Sequence, residues 1–165
     1  MLKRKFYNRL VQWKSSHSQE CLFVKGARQI GKTFIIDYFG KQNYTSYLYI
    51  NFILNNEATR IFEGSLEADT IFKTISAYYP NFRLIPNETL IFLDEIQNIL
   101  DFEKLVDGLY SRKNIDVYIT GSNAKFLSGE LATFLTGRYV EIRLQPLHFT
   151  EYASLFPGKG PHDIF

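Results

Sequence analysis

A glycine-rich segment near the start of the chain has the spacing of a phosphate-binding loop. Residues 26–33 have the sequence Gly-Ala-Arg-Gln-Ile-Gly-Lys-Thr, which matches the pattern G-x-x-x-x-G-K-[ST]. Glycines let a backbone wrap closely around an anion, and the N-terminus of a following helix adds its dipole. In this pattern we expect Lys32 to reach the β and γ phosphates of a triphosphate and the Thr33 hydroxyl to coordinate Mg²⁺.

Every residue of this segment is a candidate for nucleotide binding. The candidates are Gly26, Ala27, Arg28, Gln29, Ile30, Gly31, Lys32 and Thr33. A short apolar run at 21–24 lies just before the segment and a helical pattern lies just after it, which is the context that the motif requires. The alternative is a glycine-rich turn between a strand and a helix that binds nothing.

Two carboxylates end a second apolar run, about 60 residues further along the chain. Leu90 to Leu93 are followed directly by Asp94 and Glu95. Such a run is typical of a parallel strand buried on both faces, and ligands of parallel sheets bind beyond the carboxyl ends of the strands. We therefore predict that Asp94 holds Mg²⁺ through water and that Glu95 orients or deprotonates an attacking water. The alternative for the pair is a helix N-cap.

A third strand pattern ends in small polar residues. The run from Asp116 to Thr120 is followed by Gly121, Ser122 and Asn123. If this strand lies between the two described above, Ser122 and Asn123 lie near the γ-phosphate, where one of them would position the water or sense the phosphate. The alternative is a turn in which the two side chains cap a helix at 124–127.

The rest of the pattern predicts the elements that position these residues. Strands alternate with helices, which indicates a parallel α/β sheet covered on both faces. The predicted strands are 21–24, 46–52, 89–93, 116–120 and 139–144. The predicted helices are an amphipathic first helix at 2–16, a second at 33–39 that stops at Gly40, two within 55–79 that are separated at Gly64 and Ser65, one at 102–110 and one at 150–155.

Length, composition and charge exclude several classes of protein. A chain of 165 residues with 45% hydrophobic and 16% aromatic residues is neither disordered nor collagen-like nor a disulfide-stapled mini-protein. No apolar stretch approaches the about 20 residues of a membrane helix, so we expect a cytoplasmic protein with no membrane partner. Residues 1–32 hold eight Lys or Arg and one acidic residue. This basic pole is consistent with an anion site or with a solvated basic helix.

Together, the three motifs resemble those of the AAA+ ATPases of the P-loop class. Residues 135–152 are similar to the G-R … P-L-x-F-x-E-Y stretch of bacterial and archaeal AAA-family ATPases that carry a C-terminal domain of unknown function. Those proteins also show a G-x-R-Q-x-G-K-T loop, an L-D-E-I-Q strand end and a T-G-S strand tip. This chain has all four motifs, in that order, over about residues 1–155.

The resemblance implies a fold and a domain organisation. The fold is a P-loop three-layer α/β/α sandwich with a mainly parallel five-stranded sheet in the order 5-1-4-3-2. Residues 1–155 would form the ATP-binding core, and residues 156–165 would be a linker or a truncated end. The related proteins usually continue into a lid-like segment and the C-terminal domain.

The resemblance also implies a role for each site residue. It makes Lys32 and Thr33 the nucleotide and magnesium residues, Asp94 the metal-side acid, Glu95 the catalytic carboxylate, and Ser122 or Asn123 the sensor. Arg138 becomes a candidate arginine finger, which would act across a subunit interface of a homo-oligomer and stabilise charge in the transition state. The alternative for Arg138 is a surface ion pair beside an edge strand.

These observations support two main hypotheses of function. The first is an ATP-binding, Mg²⁺-dependent ATPase core, and the absence of the N-K-x-D pattern of G proteins favours ATP over GTP. The second is a nucleotide-gated interaction module with little turnover, whose partner would be protein or DNA. A P-loop kinase is a third hypothesis, against which the adjacent Glu95 argues.

Overall fold

One parallel sheet forms the centre of the protein. The computed structural model describes residues 5–121, 137–154 and 156–158. Its strands are β1 (Cys21–Lys25), β2 (Ser46–Asn51), β3 (Thr89–Asp94), β4 (Asp116–Thr120) and β5 (Tyr139–Arg143). They lie in the order β2-β3-β4-β1-β5, and every neighbouring pair is parallel. The predicted α/β fold and strand order are confirmed, because 5-1-4-3-2 is the same order counted from the other edge.

Helices cover both faces of this sheet. They are α1 (Lys5–Ser15), α2 (Lys32–Asn43), α3 (Asn56–Ile61), α4 (Ala68–Tyr78), α5 (Phe102–Tyr110) and α6 (Phe149–Ala153), with a 3₁₀ turn at Ile96–Asn98. In the described part of the chain, no helix is long and apolar enough to cross a membrane.

Each face of the sheet has its own hydrophobic core. On one face α1 and α2 contribute Phe6, Leu10, Ile35, Ile36 and Phe39. On the other face α3, α4 and α5 contribute residues such as Ala58, Ile71, Ile75, Leu105 and Leu109. Side chains of a strand alternate between the two faces, so a central strand must be apolar at successive positions. This is why all six residues of β3 are buried and why its sequence is a continuous run rather than an alternation.

The second helix is longer than predicted, and Gly40 does not end it. Helix α2 continues through Gly40 to Asn43, and Tyr44 then adopts an extended conformation. A Cβ atom placed on Gly40 would lie 2.5 Å from the aromatic ring of Tyr47 on β2. The glycine therefore permits a close approach between the helix and the sheet. The prediction of a helix stop was wrong because a contact distant in sequence, rather than the local backbone, requires glycine here.

The last helix is tied to the first by a buried carboxylate. Glu151 in α6 is 6% exposed and accepts the backbone N–H of His148 at 3.0 Å and that of Lys5 at 2.9 Å. One oxygen thus stabilises the start of α6 and the other holds the first described residue of α1. The P-L-x-F-x-E-Y stretch has a structural role at this point, because its glutamate joins two distant parts of the chain.

Candidate functional site

Three strands bring the candidate residues to one edge of the sheet. The register pairs Val24 of β1 with Thr120 of β4, and Ile119 of β4 with Leu93 of β3. The segment that follows β1, the acidic end of β3 and the end of β4 therefore lie side by side. This is the carboxyl edge of the sheet, where parallel α/β proteins bind their ligands.

The phosphate-loop segment has the backbone conformations that its glycines permit. A Cβ atom on Gly26 would lie 2.7 Å from the carbonyl oxygen of Leu144, so only glycine fits beside that backbone. Gly31 has a φ of +88°, in the left-handed region that favours glycine. Helix α2 begins directly after it at Lys32, so the positive end of the helix dipole faces the loop.

Lys32 is buried beneath the loop that precedes it. Its side chain is 6% exposed, and Nζ donates to the carbonyl oxygens of Gly26 at 2.7 Å and Ala27 at 2.6 Å. Burial lowers the pKa of the Lys32 ammonium, whereas the negative charges of Glu95 and Asp94 act to raise this pKa. The ammonium therefore lies within the electrostatic reach of both carboxylates, as the sequence predicts.

Asp94 joins the loop to the centre of the sheet. Its carboxylate is 1% exposed, and Oδ2 accepts the hydroxyl of Thr33 at 2.7 Å. The hydroxyl of Thr120 donates to the other oxygen, Oδ1. The two motifs, 61 positions apart, meet in a direct hydrogen bond between a residue of the phosphate loop and the acid that ends β3.

Two further contacts to Asp94 come from β2 and were not predicted from the sequence. The hydroxyl of Tyr49 donates to Oδ2 at 3.0 Å, and Nδ2 of Asn51 donates to the same oxygen at 2.9 Å. Burial raises the pKa of Tyr49 to about 12, and the charge of Asp94 acts in the same direction. In the sequence, the polar Asn51 at the carboxyl end of β2 is the feature that could have indicated these contacts. It indicates them only when β2 is known to pair with β3.

Glu95 is held in a conformation that is unusual for a residue other than glycine. Its φ of +60° and ψ of +47° place it in the left-handed region, which costs of order 1–3 kcal/mol. Its backbone N–H donates to the Thr120 hydroxyl at 3.1 Å, and its carbonyl oxygen accepts Nδ2 of Asn98 at 3.0 Å. Its carboxylate Oε2 accepts Nε2 of Gln97 at 2.6 Å. Such backbone strain is concentrated at functional sites, where the surrounding contacts enforce it.

Arg138 lies near the amino ends of the parallel strands, on the side of the sheet opposite to the candidate site. It precedes the first residue of β5, which pairs with Cys21 at the start of β1, whereas the phosphate loop follows the end of β1. The two ends of β1 are about 13 Å apart, and this length separates Arg138 from the phosphate loop. The guanidinium of Arg138 is 2.6 Å from a carboxylate oxygen of Asp107 on α5, and both side chains are about half exposed. The structure therefore does not bring Arg138 to Lys32 of the same chain.

The two sensor candidates, Ser122 and Asn123, lie outside the described residues. Strand β4 ends at Thr120, and Gly121 is the last described residue before them. Thr120 itself contacts Asp94 and Glu95, so β4 does contribute to the site. The role of Ser122 or Asn123 stays a prediction.

The sequence pattern of a known family covers most of this chain. The pattern, described as an AAA domain, matches residues 18–153, which include the loop, the acidic strand end and β5. The chain belongs to the AAA domain family. The recognised motifs and the observed strand order agree with this assignment, and the domain is an AAA+ P-loop ATPase-like protein of the nucleotide-binding class.

Two curated proteins are similar to this AAA domain in sequence. An uncharacterized protein of Haemophilus influenzae is 36% identical over 160 residues, which cover 92% of this chain and 37% of that protein. The uncharacterized protein MJ1544 of Methanocaldococcus jannaschii is 33% identical over 131 residues, which cover 78% of this chain and 27% of that protein. The chain thus spans about a third of the length of the curated relatives it matches.

Two solved structures are similar to this AAA domain in fold. The ORC1 protein of Aeropyrum pernix, solved in complex with DNA, has a TM-score of 0.58 and 14% identity, over 90% of this chain and 46% of that chain. PCH-2 of C. elegans has a TM-score of 0.52 and 15% identity, over 91% of this chain and 43% of that chain. At these identities the similarity establishes the fold alone.

The hydroxyl of Thr120 gives a first test of the site. Thr120→Val keeps the shape of the side chain but removes a donor to Asp94 and the acceptor for the N–H of Glu95. Buried polar groups left without partners cost about 1–3 kcal/mol, so we expect the free energy of unfolding to fall by about that amount. Urea denaturation measures it. Thr45→Val, at an exposed position, is the control and should change the value by less than about 0.5 kcal/mol.

Proposed function

We propose that this site binds ATP together with Mg²⁺ and hydrolyses ATP to ADP and phosphate. The observation that carries the proposal is the 2.7 Å hydrogen bond between Thr33 and Asp94. It joins a loop suited to a triphosphate to an acid suited to the metal side of that triphosphate. The neighbouring Glu95 and the buried Lys32 supply the remaining groups that hydrolysis needs.

The donor set around Thr33 suits Mg²⁺. A hydroxyl and a carboxylate side by side are hard oxygen donors, which Mg²⁺ prefers while keeping several waters. Thr33 and Asp94 would hold the ion, Thr33 directly and Asp94 through water. When bound, Mg²⁺ neutralises negative charge on the β and γ phosphates.

Lys32 would bind the β and γ phosphates of the nucleotide. Its ammonium now donates to two loop carbonyls, and phosphate oxygens are stronger, charged acceptors for the same donor. A bound triphosphate would also raise the pKa of Lys32 again, because a nearby negative charge stabilises the ammonium. Binding of the anion therefore also stabilises the positive charge of the buried lysine.

Glu95 would act as the general base. A water oxygen forms a bond to the γ-phosphorus while the bond between this phosphorus and the β–γ bridging oxygen breaks, and ADP leaves with the bridging oxygen. The proton lost by the water passes to the Glu95 carboxylate and from there to solvent or to the released phosphate. The hydrogen bonds to the backbone and side chain of Glu95 orient the carboxylate for this transfer. Ser122 or Asn123 would act as the sensor of the γ-phosphate.

Arg138 would serve the site of a neighbouring copy of the chain. Arg138 lies near the amino ends of the strands, and the phosphate loop follows the carboxyl end of β1. This placement fits a head-to-tail assembly, in which Arg138 of one copy faces the phosphate loop of the next copy. The ion pair with Asp107 is exposed, and exposed pairs contribute about 0–1 kcal/mol. Releasing Arg138 from Asp107 would therefore cost little compared with the gain from stabilising a transition state.

A nucleotide-gated interaction module is the second candidate function. Asn51 donates to Asp94 through Nδ2, and its Oδ1 accepts the backbone N–H groups of Ile53 at 2.9 Å and Leu54 at 2.8 Å. The side chains of Ile53 and Leu54 are 52% and 82% exposed. A movement of Asp94 on nucleotide binding would thus be passed through Asn51 to the positions of Ile53 and Leu54. A protein partner would bind to these two exposed apolar side chains. DNA is the other candidate partner, given the basic pole.

Removal of the lysine charge tests nucleotide binding. Charge-assisted hydrogen bonds contribute about 1.5–3 kcal/mol each, and Lys32 would make two or more of them. We expect Lys32→Ala to weaken ATP binding about 100-fold or more in calorimetry with Mg²⁺ present. Lys41→Ala removes an exposed lysine from the same helix and should bind like the parent. Equal affinity of Lys32→Ala and the parent would refute the proposed site.

Conversion of the base to an amide tests hydrolysis separately from binding. Glu95→Gln keeps the size of the side chain but cannot accept the proton, so we expect turnover to fall about 10²–10⁴-fold while ATP affinity is retained. Phosphate release, measured with and without added DNA, gives the result, and the exposed Glu63→Gln is the control. Phosphate release near background in the parent, with ATP affinity intact, would favour the interaction module.

Complementation tests whether Arg138 acts across a subunit interface. Chains with Arg138→Ala keep their own loop, and chains with Lys32→Ala keep their own Arg138. If Arg138 acts in trans, each variant alone is inactive in phosphate release and a mixture of the two recovers part of the parent rate. A mixture that is no more active than its separate components would show that Arg138 does not act in this way.

A further inference from the structure

The amide of Gln97 is in direct contact with the proposed general base. Its Nε2 lies 2.6 Å from Oε2 of Glu95, in the short range of a hydrogen bond to a charged oxygen. The two residues are joined by Ile96, which is fully buried in the core beneath the sheet. Ile96 therefore anchors to the hydrophobic core the 3₁₀ turn that carries Gln97.

The other end of the same amide is a buried acceptor. Among the residues that the structure describes, no donor reaches Oε1 of Gln97, although this atom is shielded from solvent. Rotating the amide would not satisfy it, because the carbonyl oxygen would then face the Glu95 carboxylate and be repelled. Buried acceptors without a donor are rare in native proteins, and a catalytic role is one of the reasons for which they are retained.

We propose that Gln97 is the positioning residue of the hydrolytic centre, a role that rests on the proposed function. Nε2 holds the Glu95 carboxylate in the direction from which it takes a proton of the attacking water. Oε1 is shielded from solvent, so the amide acts on the water only through Glu95. The bonds formed and broken are those already given for hydrolysis, because Gln97 neither gains nor loses a proton.

The contacts around Glu95 divide this work between main chain and side chain. Thr120 and Asn98 bind the backbone N–H and carbonyl of Glu95 and so enforce its left-handed conformation. Gln97 contacts the carboxylate itself through Nε2. We therefore expect loss of Gln97 to leave the backbone contacts of Glu95 in place and to change the direction of the carboxylate.

Two substitutions at position 97 separate positioning from binding and folding. Gln97→Leu removes both polar atoms at similar size, and we expect kcat to fall about 10- to 100-fold while the Kd for ATP stays within about twofold. Gln97→Glu retains the size of the side chain but places a second carboxylate against Glu95, and the two like charges repel. We expect kcat to fall at least as far as in Gln97→Leu, again with the Kd for ATP within about twofold. Gln42→Leu, at an exposed position on α2, is the control.

A double-mutant cycle tests whether Gln97 acts through Glu95. We expect Gln97→Leu to slow single-turnover hydrolysis in the parent but to have almost no further effect in the Glu95→Gln background. The same fold-loss in both backgrounds, a parent-like kcat, or a loss confined to ATP affinity would overturn the proposal. Failure of the proposed function is distinct from all three, because hydrolysis would then be absent from the parent or unchanged in Glu95→Gln itself.

Discussion

The buried carboxylate of Asp94 accepts hydrogen bonds from three separate elements. Thr33 donates from the start of α2, Tyr49 and Asn51 donate from β2, and Thr120 donates from β4. Burial of a carboxylate costs free energy unless its oxygens accept hydrogen bonds. The folded state is therefore stable only while these donors stay in contact with Asp94. The register of β2, β3 and β4 and the position of the phosphate loop are thereby fixed relative to one another at a single residue.

The geometry of the rest of the site follows from this constraint. Thr120 contacts Asp94 through its hydroxyl hydrogen and Glu95 through its hydroxyl oxygen, so the same side chain holds both acids of the doublet. Glu95 takes a left-handed conformation, and its carboxylate accepts a hydrogen bond from Gln97, which does not contact Asp94 in any hydrogen bond of the site described above. The two neighbouring acids face different partners, which is what separate metal-side and proton-accepting roles require.

Lys32 and the two carboxylates of the site interact electrostatically. Lys32 is buried, and burial lowers the pKa of its ammonium, but Glu95 and Asp94 oppose this effect. Loop carbonyls supply hydrogen bonds to the ammonium in the structure described. Asn51 extends the same network outward, since its amide oxygen orders the turn that carries Ile53 and Leu54. The candidate site and an exposed apolar turn are therefore joined by hydrogen bonds through Asn51.

The sequence by itself determined the parts of this protein that depend on local pattern. Alternating strands and helices gave the fold class, because a parallel sheet needs crossover helices, and the strand bounds were correct to within one residue. The loop glycines, Lys32, Thr33 and the Asp94–Glu95 doublet were evident because each motif is contiguous. Tertiary structure decided what depends on pairing between distant segments. Tyr49 and Asn51 belong to the site only because β2 pairs with β3, and Gly40 lies within a helix because the ring of Tyr47 packs against it. The separation of Arg138 from Lys32 likewise follows from the parallel pairing of β5 with β1, which no local pattern encodes.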